Sequence, residues 1–246
     1  MLNSYKSLNL AALFVFLFCN AYSQNQIFQV KNYTTKDYGR DFHPANMAVV
    51  QDQLGIIYAA NGFKLLEFDG KNWNSWPINR EAWILSLAID SSGLIYAGSQ
   101  NEFGYFEPEK SGKLRYVSLS DSLEAGEQDF TNIWKVHAFS GAVIFQAEEK
   151  IFVYRKGEIE IIRPSTSFHT SFTVSGNFYV RERGKGILTL GTDGLLKVPG
   201  SEIFDTTGIF LMEAFRKDRI VIGTRDKGFW LFDPAAENAP FTAFRI

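Results

Sequence analysis

The sequence has almost no cysteine and few histidines, which limits the kinds of site that it can build. Its 246 residues include one cysteine, Cys19, and three histidines, His43, His137 and His169. Cys19 lies in an amino-terminal apolar run that we expect to be removed, so disulfides and thiolate zinc sites are excluded. The histidines are far apart and show no spacing typical of a metal site. We therefore predict neither a metal nor another cofactor.

An excess of charge of one sign is also missing. The chain has 25 Lys and Arg residues and 27 Asp and Glu residues, so its formal net charge is −2. A protein that binds nucleic acid needs a basic surface that neutralises several phosphates. The balance of charges therefore predicts that this chain has no nucleic-acid partner.

Long apolar runs are confined to the amino terminus. The run Leu10–Cys19 follows the basic residue Lys6 and precedes the small residues Ala21 and Ser23, as in a signal peptide with its cleavage site. The run is too short for a membrane span, which needs about 20 apolar residues. We predict a signal peptide over residues 1–23 and a periplasmic or secreted product without a transmembrane helix.

Helical periodicity is absent as well, and the abundant residues favour strands. Hydrophobic residues make up 46% of the chain and aromatic residues 15%, with 23 phenylalanines. The segment Gly55–Gly70, GIIYAANGFKLLEFDG, shows the basic unit. It contains two short apolar stretches separated by an Asn-Gly turn and ends in an Asp-Gly turn, the pattern of a β-hairpin.

This unit returns four more times along the chain. The last apolar residue before each second turn recurs at intervals of roughly 34 to 48 residues, at Phe68, Phe106, Tyr154, Val198 and Phe232. Four short strands at such a period are typical of propeller blades. We predict an all-β fold, with residues 24–246 as one propeller. Its four-stranded antiparallel blades lie at about 44–80, 81–122, 129–167, 168–207 and 208–246.

Unless the ring of five blades closes, each of the two end blades has a neighbour on one side only. An unclosed fan exposes two apolar faces to water. We expect an open arc that keeps the curvature of a seven-bladed ring, a truncated product, and a tendency to aggregate.

The sequences of the five repeats resemble those of a known protein family. In order they read IYAANGFKLLEFDGKNW (57–73), LAIDSSGLIYAGSQNEFGYF (87–106), FQAEEKIFVY (145–154), FYVRERGKGILTL (178–190) and VIGTRDKGFWLFD (221–233). Together they resemble the amino-terminal propeller of bacterial two-component regulator propeller proteins, the hybrid two-component sensors with a triple-tyrosine domain. The resemblance covers about residues 27–246.

The resemblance implies an exported sensing region built on seven-bladed propellers. In that family a triple-tyrosine β-sandwich, a membrane helix and a kinase or DNA-binding module follow. This sequence shows no sixth or seventh blade and none of those modules. The resemblance therefore implies a sensing role for this chain and no signalling output from it.

One face of the predicted propeller collects the middle turns of the blades and the connections between them. We predict a ligand site on this face, for an oligosaccharide or a small anionic ligand. The arginines could bind a carboxylate or sulfate through two hydrogen bonds. The candidate residues are Arg181, Arg183, Arg225, Glu102, Trp83 and His169. Simple solvation of polar turns, and packing of Trp83 between blades, would explain the same residues.

Two other functions stay open. A five-bladed glycoside hydrolase would need two carboxylates about 5 to 9 Å apart, and Asp129 with Glu182 is the candidate pair. No nucleophile motif or phosphate-binding loop is present, so we expect no enzyme activity and name no catalytic residue. A structural module that associates with another propeller is the second alternative.

Overall fold

Short strands separated by turn glycines build the main part of the chain. The computed structural model describes residues 30–192, 194–236 and 240–244. The chain divides into two compact units, residues 1–34 and residues 35–246. The predicted signal peptide lies outside the described residues. Among the described helices, none is long and apolar enough to cross a membrane.

The described strands form five antiparallel sheets, each made of four strands consecutive in sequence. The first sheet contains β1 (Val49–Gln51), β2 (Ile57–Asn61), β3 (Lys64–Phe68) and β4 (Trp73–Pro77). The second contains β5 (Ile84–Ile89), β6 (Ile95–Ser99), β7 (Glu102–Pro108) and β8 (Leu114–Ser118). The third contains β9 (Lys135–Phe139), β10 (Ala142–Gln146), β11 (Ile151–Arg155) and β12 (Glu158–Ile162).

The last two sheets follow the same order. The fourth contains β13 (Phe168–Val174), β14 (Asn177–Glu182), β15 (Gly186–Gly191) and β16 (Gly194–Lys197). The fifth contains β17 (Ile209–Phe215), β18 (Arg219–Thr224), β19 (Phe229–Phe232) and β20 (Phe241–Phe244). These are the blades of a propeller that is open and not closed. The predicted fold class is confirmed.

A repeated aspartate turn explains why the first two hairpins form where they do. The Asp90 carboxylate accepts hydrogen bonds from the backbone N–H groups of Ser92 and Leu94, at 2.8 and 3.1 Å. The Tyr96 hydroxyl donates to its second oxygen at 3.2 Å. In the first sheet Asp52 and Tyr58 repeat the arrangement. The spacing Asp, Gly, Tyr in DQLGIIY and DSSGLIY is therefore a local code for the first turn of a blade.

The core lies between neighbouring sheets. Each sheet turns one row of alternate side chains towards the preceding sheet and the other row towards the next. Ile84 of the second sheet packs with Leu65 of the first, and Phe103 packs with Phe145 of the third at a ring-centroid distance of 4.5 Å. Ile220 of the fifth sheet packs in a cluster with Ile187 of the fourth. Burial of aromatic and branched side chains between blades thus holds the arc together.

A short helix, α1 (Thr35–Tyr38), precedes the first sheet. The Tyr38 ring is buried and lies 5.5 Å from the ring of Trp73 on β4. Packing against a strand far along the chain therefore orders a segment whose own sequence has no helical signal.

Candidate functional site

The middle turns and the connections between sheets lie at the same end of the strands, as predicted. Backbone hydrogen bonds join the two kinds of segment. Phe168 N–H donates to Glu148 O at 2.7 Å, and Arg225 N–H donates to Gly208 O at 2.9 Å. We call this end the middle-turn face. Its loops are held by the fold and can position side chains for binding.

β-Bulges lie at the start of three inner strands, at this end of the sheets. In the second, fourth and fifth sheets, the register shifts just after the first strand residue, at Leu85, at His169 and Thr170, and at Phe210. Bulges are common next to binding sites because they redirect a side chain out of the regular alternation. His169 and Phe210 thereby occupy corresponding places in neighbouring blades.

His169 and Phe210 form the centre of a cluster between the fourth and fifth sheets. Their rings meet edge to face, with centroids 5.3 Å apart at 90°. The guanidinium carbon of Arg225 lies 5.6 Å from the centroid of the Phe210 ring, within the range of a cation–π contact. Together with Arg181 and Arg183 these residues are called the blade 4–5 cluster.

The electrostatics of His169 show how close the positive charges are. Burial, followed by the charges of Arg181, Arg183 and Arg225, lowers the pKa of the His169 imidazole to about 4. The imidazole is therefore neutral at neutral pH. The structure thus brings together four of the six residues predicted for the ligand site.

Arg181 is placed differently from the other two arginines. Its side chain is buried, and its Nε donates to Phe204 O at 2.9 Å while Nη2 donates to Asp205 O at 2.5 Å. Burial, followed by the charges of Arg183 and Arg225, lowers the pKa of this guanidinium. The prediction that Arg181 contacts a ligand directly is therefore not supported, because part of its donor fork already fastens the loop before the fifth sheet.

Glu102 also has a structural role in place of the predicted one. It is fully buried at the start of β7, where it accepts hydrogen bonds from the Tyr116 hydroxyl at 3.0 Å and the Ser118 hydroxyl at 2.8 Å. Arg80 Nε, from the connection between the first two sheets, lies 3.1 Å from its second oxygen. A buried carboxylate with these partners holds the two sheets together and is not available to a ligand.

Trp83 is the predicted residue that borders a cavity. Its ring is partly exposed and lies 4.6 Å from the ring of His43. The cavity has a volume of about 350 Å³. Its walls include Arg40, Asp41, Phe42, His43, Phe63 and Trp83. We call it the Trp83 pocket. The aromatic walls make Trp83 an accessible platform in addition to a packing residue.

The two candidate carboxylates of a hydrolase, Glu182 and Asp129, have different surroundings. Glu182 is buried and accepts hydrogen bonds from the backbone N–H groups of Ser165 and Thr166, at 2.7 and 3.0 Å. Lys185 forms an ion pair with it at 3.4 Å. Asp129 is exposed on a separate connection. Glu182 thus organises the loop that precedes the fourth sheet.

Several residues of the face escaped the sequence reasoning. Phe210, Phe63 and Phe42 are not among the residues predicted for the site. The signal that could have identified Phe210 is its position, directly after the buried residue Ile209 at the start of an inner strand, which matches His169 after Phe168. Across the described residues, no group of three or more His, Cys, Asp or Glu side chains could hold a metal ion.

Comparison with solved structures places the fold among β-propellers. Virginiamycin B lyase from Staphylococcus aureus is similar with a TM-score of 0.63 and 14% identity, over 89% of this chain and 73% of the lyase chain. The extracellular domain of a hybrid two-component system from B. thetaiotaomicron is similar with a TM-score of 0.59 and 12% identity, over 92% of this chain and 30% of that domain's chain. YCF48 with a bound peptide is similar with a TM-score of 0.56 and 10% identity, over 80% of this chain and 68% of the YCF48 chain.

No protein-family model and no curated protein matches the chain. Identities below 15% show a common fold and do not carry a function from one protein to another. The resemblance expected from the repeats is thus supported at the level of the propeller fold, with a two-component sensor domain among the distant structural relatives.

Proposed function

We propose that this chain is a non-catalytic, extracytoplasmic sensor propeller that binds a ligand on its middle-turn face. The observation that carries the proposal is the Trp83 pocket, an aromatic-walled cavity on that face. The likeness to the extracellular domain of a hybrid two-component system supports a sensing role. The amino-terminal signal-peptide pattern supports export.

The walls of the Trp83 pocket suit an oligosaccharide. Its volume of about 350 Å³ lies in the range of small-molecule sites. The rings of Phe63 and Trp83 are partly exposed, so they present apolar surface on which a sugar ring can stack. Arg40 and Asp41 form no ion pair with any described residue, so their charged groups can exchange hydrogen bonds with hydroxyls.

The proposal is tested by calorimetry of the mature chain with a panel of neutral and acidic oligosaccharides. We expect one class of sugar to bind and Trp83→Ala to weaken binding at least tenfold. Phe229→Ala is the matched control, since Phe229 is a partly exposed aromatic residue of the fifth sheet. A panel without a binder, or equal losses in both variants, would refute the proposal.

A purely structural module remains the second candidate, because an apolar row lies exposed on the fifth sheet. Leu211, Gly223 and Phe229 are neighbours across three strands. They lie on the face turned away from the buried cluster that the fourth and fifth sheets share. Association with another propeller would cover this row.

A further inference from the structure

We propose that the blade 4–5 cluster binds a carboxylate or sulfate group carried on a flat apolar body, with Arg183 and Arg225 gripping the oxyanion and Phe210 supporting the body. The inference rests on the proposed function, because it uses the same face. It concerns a second site, separate from the Trp83 pocket in sequence and in its lining residues.

The first argument is uncompensated positive charge. Neither Arg183 nor Arg225 forms an ion pair or donates a side-chain hydrogen bond to any described residue. The charged groups whose fields lower the pKa of His169 are all arginines. Positive groups gathered on one side of a loop cluster attract an anion and favour its binding.

The nearby carboxylates are directed elsewhere. Glu182 accepts hydrogen bonds from Ser165 and Thr166 on the preceding connection. Asp226 accepts a hydrogen bond from the Thr207 hydroxyl. The charge of Asp205 acts on Arg181. Arg183 and Arg225 therefore have no ion-pair partner among the described residues, and an external anion can take that place.

The second argument is the unequal use of the three guanidinium groups. Arg181 donates hydrogen bonds to two backbone carbonyls. It therefore contributes positive charge to the site without contacting the ligand, and is a positioning residue. Arg225 and Arg183 lie in exposed turns and keep their full donor sets. Two parallel N–H groups of an arginine match the two oxygens of a carboxylate or sulfate, which a lysine cannot do.

A missing side chain makes room for the Arg225 guanidinium. A Cβ atom on Gly208 would lie 2.8 Å from Phe210 Cε2 and 3.2 Å from Arg225 Nη2. Arg225 is also anchored through its backbone N–H, which donates to Gly208 O. The glycine thus lets the guanidinium and the phenyl ring approach the same spot of backbone.

The third argument concerns the apolar part of the ligand. The Phe210 side chain is 61% exposed although it belongs to a strand that buries its neighbours Ile209 and Met212. The His169 ring packs edge-on against Phe210 and makes no side-chain hydrogen bond to any described residue, and its Nδ1 is buried without a partner. The exposed Phe210 ring, with the His169 ring against it, forms a support for an aromatic or alicyclic ring.

Such a ligand would bridge two blades. His169 and Arg183 belong to the fourth sheet and its middle turn, whereas Phe210 and Arg225 belong to the fifth. A molecule that contacts both sheets binds the folded arrangement and not the separated blades. Binding is therefore expected to raise the melting temperature of the protein.

The test uses the mature chain with benzoate, phenyl sulfate, acetate and inorganic sulfate, followed by calorimetry and thermal melting. We expect benzoate or phenyl sulfate to bind and to raise Tm, and acetate and inorganic sulfate to bind at least tenfold more weakly. Arg183→Gln and Arg225→Gln should each weaken aryl-anion binding at least tenfold. Phe210→Ala should remove the preference for aryl over simple anions.

Arg216→Gln is the matched control, because Arg216 is an exposed arginine in the same sheet at the opposite end of the strands. Arg225→Lys keeps the positive charge but loses the two parallel N–H groups of the guanidinium. It should therefore bind the aryl anion with a Kd between those of the wild type and Arg225→Gln. Absence of binding for all four anions, an equal loss in Arg216→Gln, or wild-type binding by Arg225→Lys would overturn the inference. Sugar binding that depends on Trp83 and persists in that case would leave the proposed function intact.

Discussion

Identical residue types take opposite roles within a few positions of each other. Arg181 and Arg183 are two residues apart, yet the first is buried against the carbonyls of Phe204 and Asp205 and the second is exposed in a turn. Glu102 and Glu148 show the same contrast, since one is enclosed by hydroxyls and the other faces solvent. Burial and partners therefore decide which charged residues remain available for a ligand.

His137 supports a prediction about acid stability. It lies on β9, with Nε2 2.9 Å from Ser171 Oγ and its ring against Phe178. Burial and the charge of Lys135 lower the pKa of its imidazole to about 4, although the Ser171 contact opposes the shift. The unfolded imidazole has a pKa of about 6.5 and binds a proton first, so falling pH favours unfolding between these two values.

We expect the free energy of unfolding to drop by about 2 kcal/mol through His137 between pH 7 and pH 5. His169, shifted in the same direction, adds to the loss. Urea titrations at the two pH values measure it, and His137→Gln should show a smaller difference than the wild type. An unchanged difference in His137→Gln would contradict the assignment.

Within the sheets, two strand glycines are required by close approach and not by turn geometry. Gly98 on β6 faces the connection into the third sheet, where a Cβ would lie 2.3 Å from Ile133 Cγ2 and 2.6 Å from Ser86 Oγ. Ser86 donates a hydrogen bond to Ile133 O at 2.8 Å, which ties the second sheet to the third. On β7, Gly104 approaches Val117 O in the same way.

Gly98→Ala is therefore expected to destabilise the fold by about 1 to 3 kcal/mol, because the new methyl group overpacks the contact between two blades. Gly126→Ala is the matched control, since no atom lies within 4 Å of the added Cβ there. Urea unfolding monitored by tryptophan fluorescence compares the two. Equal free energies of unfolding for the two variants would contradict the expected overpacking at this contact.

For the molecule as a whole, the open arc leaves the first and the fifth sheet with a single neighbouring sheet each. The fifth sheet buries Met212, Ile220 and Ile222 against the fourth and turns Leu211 and Phe229 outwards, where they are 36% and 40% exposed. An exposed apolar face on a sheet favours association with another surface.

We expect residues 24–246 to self-associate as the protein concentration rises and Leu211→Lys to reduce that association, because a charge within the apolar row opposes its burial. Sedimentation velocity measures the effect. Leu54→Lys is the control, since Leu54 is 87% exposed in an isolated turn. A wild-type protein that stays monomeric throughout would argue against this face as an interface.

Much of the architecture could be predicted because it depends on neighbours in sequence. The strand bounds of β3, β10, β19 and β20 match the alternation of apolar residues and the turn signals around them. The aspartate turns at Asp52 and Asp90 each depend on seven consecutive residues. The middle-turn face followed from the order of the strands alone, since an antiparallel meander places alternate turns at opposite ends.

Patterns within the sequence thus predict the repeated blade, the all-β class and the set of polar residues that gather at one end. The tertiary structure is needed to show that Arg181 and Glu102 are buried, that Phe210 is exposed at a bulge, and that α1 packs on Trp73. The physical reason is that burial is set by segments distant in sequence. The Phe204 carbonyl that binds Arg181 is 23 positions away, and no local pattern indicates such a partner.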